Sequence, residues 1–253
     1  LNLEWESLGP DNIGGRTRGI LIDRDNPSMM YAGGVTGGLW ISSNAGLSWD
    51  VYDDDTLSGI GVVAFTQASN GDIYVGTGEL YATLSGIGVD DGTTGLLGEG
   101  IWKSTDGVNF THLPATTPSI DNSGSAQFAF INALTSHPTD PNIIYAATNS
   151  GIQKTEDGGQ TWSKITSSGP AVSNGDVDDI HMGQNGLVYT GVNGKYYRSQ
   201  DANNPDDLVP ATQLGNFPNA STIRLRIALA PSDPNYVYVI GCNSQGETSL
   251  VAR

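Results

Sequence analysis

Short apolar runs alternate with polar turns along the whole chain, and one phrase recurs. A β-rich run is followed by a turn holding Asp, Pro and Asn, then by a strand with an aromatic residue and small neighbours. Gly19–Asp23, Asp25-Asn26-Pro27 and Met30-Tyr31-Ala32-Gly33 form one copy. Ile131–Leu134, Asp140-Pro141-Asn142 and Ile144-Tyr145-Ala146 form another, as do Ile227–Ala230, Asp233-Pro234-Asn235 and Val237-Tyr238-Val239. Two further copies shorten the turn to Asn70-Gly71 and Asn185-Gly186, ahead of Ile73-Tyr74-Val75-Gly76 and Val188-Tyr189-Thr190-Gly191. Asn-Gly between alternating apolar runs is the strongest short hairpin signal.

The tyrosines set the period. Tyr31 to Tyr74 is 43 residues, Tyr145 to Tyr189 is 44 and Tyr189 to Tyr238 is 49. Tyr74 to Tyr145 is 71, which implies an insertion. A unit of about 40 to 50 residues holding four short strands is a propeller blade. Helical repeats of that length fit poorly, because the units are rich in Gly and β-branched residues and lack a 3.6-residue apolar period. The expected fold is all-β: a β-propeller of four-stranded antiparallel blades at about 16–52, 60–113, 130–166, 178–210 and 224–253, as part of a larger propeller. Leu3–Leu8 reads as a fourth strand without a blade, able instead to close a compact five-bladed ring.

A second motif follows the hairpins. Thr155, Asp157, Gly159 and Trp162 fit Ser/Thr-x-Asp-x-Gly-x-x-Trp at every fixed position. Ser42, Asn44, Gly46 and Trp49 fit with Asn in the acidic slot. Ser104, Asp106, Gly107 and Phe110 form a version one residue shorter, while Ser199-Gln200-Asp201 begins the motif and loses it. The carboxylate suits accepting backbone N–H bonds across a turn, Gly supplies positive φ, and the aromatic ring anchors the turn. A residue repeated once per blade does the same local job each time, so these Asp residues are expected to be structural.

These residues resemble the Asp-box of the BNR-repeat propellers, a superfamily of sialidases, sortilin-type propellers, xyloglucanases and photosystem assembly factors. Gly9-Pro10-Asp11-Asn12-Ile13-Gly14-Gly15-Arg16 and Gly37-Gly38-Leu39-Trp40 are similar to the large secreted or surface BNR/sortilin-like proteins of gliding and related bacteria. The resemblance implies an extracellular or cell-surface bacterial protein, with type IX secretion among the associated features. It also implies that loops joining the second and third strands, and those joining blades, share one face. That face then carries the insertion 78–100 and the connections 53–59, 114–129, 167–177 and 211–223. The Asp-box turns occupy the other face. Long irregular loops are where binding specificity usually sits.

Composition narrows the partners. The 253 residues hold 11 Lys plus Arg against 27 Asp plus Glu, a net charge of −16. Clustered cations for nucleic-acid phosphates or anionic lipid are therefore not expected. The single cysteine, Cys242, excludes an internal disulfide. His112, His137 and His181 have no metal-ligand spacing, and no run approaches a membrane span. Leu1–Trp5 has neither a basic start nor a long apolar stretch, so no secretion signal is expected within the sequence.

Candidate chemistry falls into three groups. Arg16 with Arg18, and Arg224 with Arg226, enter the innermost strands of two blades as Arg-x-Arg pairs near the channel mouth. The sialidase resemblance implies carboxylate clamping there, by charge-assisted pairing. The plainer expectation is pairing with local carboxylates. Acidic residues come next. Asp53, Asp54, Asp55, Asp90, Asp91, Asp176, Asp178 and Asp179 offer oxygen ligands for Ca²⁺, but none matches the EF-hand spacing, so a solvated acidic rim is expected and no cofactor is required. Glu79, Asp90, Asp91 and Glu99 are the loop-face candidates for ligand contact, or for the paired carboxylates of glycoside hydrolysis. Among the tryptophans, Trp5, Trp49 and Trp162 sit at fourth-strand or turn-anchor positions, and Trp40 and Trp102 share a third-strand slot, so packing is expected.

The function expected is a non-catalytic interaction or display domain that binds protein or glycan through the loop-rich face, within a longer polypeptide or surface complex. The alternatives are a sialidase- or xyloglucanase-type glycoside hydrolase and an assembly or sorting factor gripping a partner peptide.

Overall fold

Period-2 alternation between Gly- and Asp-rich turns builds five antiparallel sheets, each from consecutive strands. The computed structural model describes residues 16–53, 57–80, 95–119, 127–166, 172, 174–210, 222–233 and 235–253. Expectations for Leu3–Leu8, Asp54, Asp55, Asp90 and Asp91 fall outside these residues.

The first sheet comprises β1 (Thr17–Ile22), β2 (Met30–Gly34), β3 (Gly38–Ser42) and β4 (Asp50–Val51). The second comprises β5 (Val62–Gln67), β6 (Ile73–Thr77), β7 (Ile101–Ser104) and β8 (Thr111–His112). The third holds β9 (Ile131–Ser136), β10 (Ile144–Thr148), β11 (Gly151–Thr155) and β12 (Ser163–Lys164). The fourth holds β13 (Val177–Met182), β14 (Val188–Val192), β15 (Lys195–Ser199) and β16 (Leu208–Pro210). The fifth has three described strands, β17 (Arg224–Leu229), β18 (Val237–Cys242) and β19 (Thr248–Ala252). The chain is a partial β-propeller: β1, β5, β9, β13 and β17 pack in succession, each against the next.

Each sheet turns alternate side chains to opposite neighbours. In the third blade, Ile144 and Ala146 join a core with Tyr74 and Ile101 of the second. Tyr145, Ala147 and Ile152 join a core with Ile180 and Val188 of the fourth. The tyrosine that marks the period is the second residue of the second strand every time, and it does more than pack. Tyr31 Oη donates to the Gly107 carbonyl of the next blade at 2.8 Å, and Tyr74 Oη to the Gly158 carbonyl at 3.1 Å. In the fourth blade, where the turn motif is lost, Tyr145 Oη donates instead to Asp206 Oδ1 at 2.8 Å. Lys154 Nζ meets the other oxygen of Asp206 at 2.9 Å. A side-chain carboxylate has replaced a turn carbonyl, and the bridge between blades is kept.

The turns between third and fourth strands of the first three blades share one design. Thr155 Oγ1 donates to Asp157 Oδ1 at 2.7 Å, and the Gly159 N–H donates to Thr155 Oγ1 at 2.9 Å. The Thr161 N–H closes the turn on Asp157 Oδ1 at 2.9 Å, and its hydroxyl donates to Oδ2 at 2.6 Å. Ser42, Asn44, Gly46 and Ser48 repeat this pattern with an amide oxygen as the acceptor. Asp106 accepts from Ser104 and from the Val108 and Asn109 N–H groups. Gly159 has φ +100° and Gly46 +85°, the left-handed region that glycine enters without a side-chain penalty. Trp162 packs edge-on to Phe128 at 5.6 Å, and Phe110 lies 6.0 Å from Tyr31.

These bonds to Thr161 and Thr155 hold the Asp157 carboxyl down at about 2, from an ordinary 3.8. A carboxyl depressed in the folded state contributes stability above its unfolded value and loses it as pH falls through its folded value. The Asp157 turn therefore weakens between about pH 4 and pH 2. In a pH-dependent unfolding series, Asp157→Asn is expected to flatten the acid limb over that window. An unchanged acid limb would contradict the role given to these bonds.

Candidate functional site

Backbone contacts define two ends of the propeller. At one end the Val35 N–H donates to the Arg16 carbonyl, and the Gly78 N–H to the Gly61 carbonyl. Second-to-third-strand turns, blade connections and the beginnings of the first strands therefore lie together. At the other end the Ala45 N–H donates to the Ser28 carbonyl and the Gly158 N–H to the Asn142 carbonyl, which joins the Asp-bearing turns to the first hairpins.

The first strand of each of blades one to four carries a register irregularity near its start. It falls at Arg18, Val63, Asn132 and Asp178. An extra residue in a ladder bends the strand and re-aims its side chain, and such bulges gather at barrel rims and sites. β17 pairs with β18 without a shift.

Arg18 and Arg226 line one cavity of about 300 Å³ together with Phe65, Asn132, Asp179 and His181. It lies among the first strands of all five blades, along the axis. Arg18 Nε meets Glu79 Oε2 at 2.9 Å, and Arg16 Nη2 meets Oε1 at 3.6 Å, with the Glu79 side chain only 1% exposed. Across the cavity, Arg226 Nη1 lies 3.3 Å from Asp179 Oδ1 and donates to the Asp178 carbonyl at 2.9 Å. Asp179 also accepts the Ile180 N–H at 3.1 Å and the Ile227 N–H at 2.9 Å. His181 Nε2 sits 3.4 Å from Asp179 Oδ2.

Arg18 feels the charges of the second Arg-x-Arg pair. Burial pushes the Arg18 guanidinium down to about 10, repulsion from Arg224 and then Arg226 adds to this, and Glu79 opposes it. Burial by itself would raise the Asp179 carboxyl; the His181 hydrogen bond and charge, Arg226 and the Ile227 N–H outweigh it and hold the carboxyl below its usual range. Such a site presents positive charge to the channel, on side chains fixed from behind by buried carboxylates.

The other candidates are placed as follows. Glu99 is exposed, and its N–H donates to Thr77 Oγ1 at 2.8 Å. Asp53 and Asp176 are exposed, whereas Asp178 is buried and accepts the Gly194 N–H at 2.9 Å. Among the described residues no three of His, Cys, Asp and Glu are grouped to hold a metal ion, and no helix is long and apolar enough to cross a membrane. Asn132, whose Nδ2 donates to the Val177 carbonyl at 2.9 Å, and His181 belong to the cavity although no sequence motif marks them.

No protein-family model matches this sequence, and no curated protein does. The fold has many solved counterparts. An ancestral GH74 enzyme superposes with a TM-score of 0.62 at 16% identity over 92% of this chain and 32% of its own. YCF48 from Cyanidioschyzon merolae gives a TM-score of 0.56 at 13% identity, over 92% of this chain and 66% of that one. The extracellular domain of a putative one-component system from B. thetaiotaomicron gives 0.58 at 14% identity, over 90% and 26%. The chain thus spans about a third of the GH74 enzyme and about two thirds of YCF48. These likenesses define the class, a β-propeller. Identities this low carry the architecture and not the activity of the neighbours.

Proposed function

We propose that this chain is a non-catalytic ligand-binding β-propeller of a secreted or cell-surface bacterial protein. It takes the acidic part of a protein or glycan ligand at the loop-bearing end of its axial channel. The observation that supports this reading is that Arg18 and Arg226, one from each Arg-x-Arg pair, line one cavity. Glu79 is engaged in positioning Arg16 and Arg18, and Asp179 in positioning Arg226. A retaining or inverting glycosidase needs a pair of carboxyls facing the substrate, whereas these two are turned onto guanidinium groups. We also read the Thr155–Trp162 and Ser42–Trp49 turns as Asp-boxes of the BNR-repeat, sortilin-like kind, on the strength of their shared hydrogen-bond pattern.

A panel of sialosides, acidic glycans, neutral β-glucans and acidic peptides tests the reading. Saturable binding of an acidic member without turnover is expected. Hydrolysis of a sialoside or β-glucan, abolished by Arg18→Ala, would replace this reading with a glycoside hydrolase.

A further inference from the structure

A second cavity, of about 390 Å³, opens between the fourth and fifth blades. Its wall is formed by His181, Met182 and Tyr189 on one side and by Ile227, Leu229 and Pro231 on the other. His181 also lines the arginine cavity, so the two spaces adjoin at its ring. Beyond His181 the character changes: Met182, Ile227, Leu229 and Pro231 present no side-chain N–H or O–H.

The opening has a sequence cause. In the second and third blades, the residue opposite the second-strand tyrosine and the one after it are Thr66-Gln67 and Thr135-Ser136. These polar side chains tie neighbouring first strands together. Gln67 Nε2 donates to Asp23 Oδ1 at 3.0 Å, Ser136 Oγ to the Gln67 carbonyl at 2.8 Å, and the Met182 N–H to Thr135 Oγ1 at 3.0 Å. The same two slots of the fifth blade hold Ala228 and Leu229, which can make no such bond to the fourth. The backbone there is also available. β17 ends its sheet, so one of its edges pairs with none of the described strands. The Ile227 N–H leaves by that edge, to Asp179 Oδ2, whereas the Ala230 N–H turns to the Tyr236 carbonyl. Strand alternation sends the Leu229 N–H and carbonyl to the unpaired edge, beside the cavity.

We infer that this second cavity takes an apolar side chain of an extended peptide whose acidic residue sits on Arg18 and Arg226. The inference rests on the acid-binding reading of the channel and names the ligand class as protein. Positive charge on one side of His181 and an apolar wall on the other call for a ligand with both characters close together. An extended peptide supplies them within two residues, because alternate side chains lie about 7 Å apart on one side of the chain. Its main chain meets the unpaired edge of β17 by strand addition. A glycan would leave hydroxyls without partners against Met182, Ile227 and Leu229, which carries a desolvation cost. A fatty acid would fill the apolar wall and leave the β17 edge unmet.

The test is calorimetric titration with capped peptides: one with a single Glu among glycines, and counterparts with Leu one or two positions from the Glu. Burial of the leucine side chain is expected to make the better counterpart bind at least about tenfold more tightly than the glycine peptide. Gln184→Trp fills the cavity from an exposed turn position, and Leu229→Gln makes its wall polar. Each is expected to bring that ratio below about threefold. Equal binding of the glycine and leucine peptides, or a ratio that survives in both variants, would overturn the inference and leave acid binding at the arginines standing. Binding of an acidic glycan with no binding of any peptide would overturn it as well. Binding of no acidic ligand of either kind would remove the channel reading along with it.

Discussion

Replacing Tyr145 by alanine lowers the free energy of unfolding by about 3–5 kcal/mol, whereas Tyr145→Phe lowers it by about 1 kcal/mol. The ring is fully buried between the third and fourth blades, so truncation leaves a cavity that the rigid sheets on either side cannot close. Phenylalanine keeps the ring and loses only the bond to Asp206, whose carboxylate retains Lys154. The phenol itself stays protonated: burial first, and then the Asp206 charge, raise it far above the ordinary tyrosine value. Urea unfolding reads the difference as a shift in midpoint at constant slope. Equal losses for the two variants would mean that the hydroxyl, and not packing, joins these blades.

Glu79→Ala is the second large effect. It removes the carboxylate that holds Arg16 and Arg18. Deleting one member of a buried ion pair leaves the other charge uncompensated, at a cost of about 3–5 kcal/mol. Arg18 is partly open to the cavity, so the lower end of that range, about 3 kcal/mol, is expected. The direction follows from the charges present. Arg18 already suffers repulsion from Arg224 and Arg226, with Glu79 opposing. Glu79→Gln keeps the side-chain volume and a hydrogen-bond acceptor, and is expected to cost less than alanine. If both variants unfold at the wild-type midpoint, the pair contributes nothing to the fold.

The architecture was legible because a blade is a local object. Its hairpins are set by Asn-Gly and Asp-Pro-Asn turns, and its period is visible in Tyr31, Tyr74, Tyr145, Tyr189 and Tyr238. The role of those tyrosines was not legible, since the hydroxyls of Tyr31, Tyr74 and Tyr145 bond to the following blade, as Tyr31 does to Gly107. Asp206 shows the same limit. The motif begun at Ser199-Gln200-Asp201 is lost by Asp206, yet Asp206 takes the place of a turn carbonyl.

The site divides in the same way. The Arg-x-Arg pairs stand out by their place ahead of the turn Asp residues, and one arginine of each, Arg18 and Arg226, lines the cavity. Glu79 is visible in sequence as an acid of the long insertion. Its carboxylate turns inward onto Arg18 because the Glu79–Leu96 bridge fixes the backbone there. Asn132 and Asp178 reach their positions through bulges, and a one-residue change of register has no local sequence signature. His181 enters by pairing with Asp179 two residues before it on the same strand face, a contact that acquires meaning only once Arg226 of the next blade is in place.

The central claim is that the channel arginines carry ligand recognition. The direct measurement is the affinity of the best acidic ligand from the panel for wild-type protein and for Arg226→Gln, at low and at high salt. Arg226 is chosen because it lines the cavity and is about a third exposed, at 34%. A charge-assisted hydrogen bond is worth about 1.5–3 kcal/mol, so the substitution is expected to weaken binding by about tenfold to a hundredfold, and high salt to erase much of the difference. Unchanged affinity in Arg226→Gln, with binding insensitive to salt, would contradict the account.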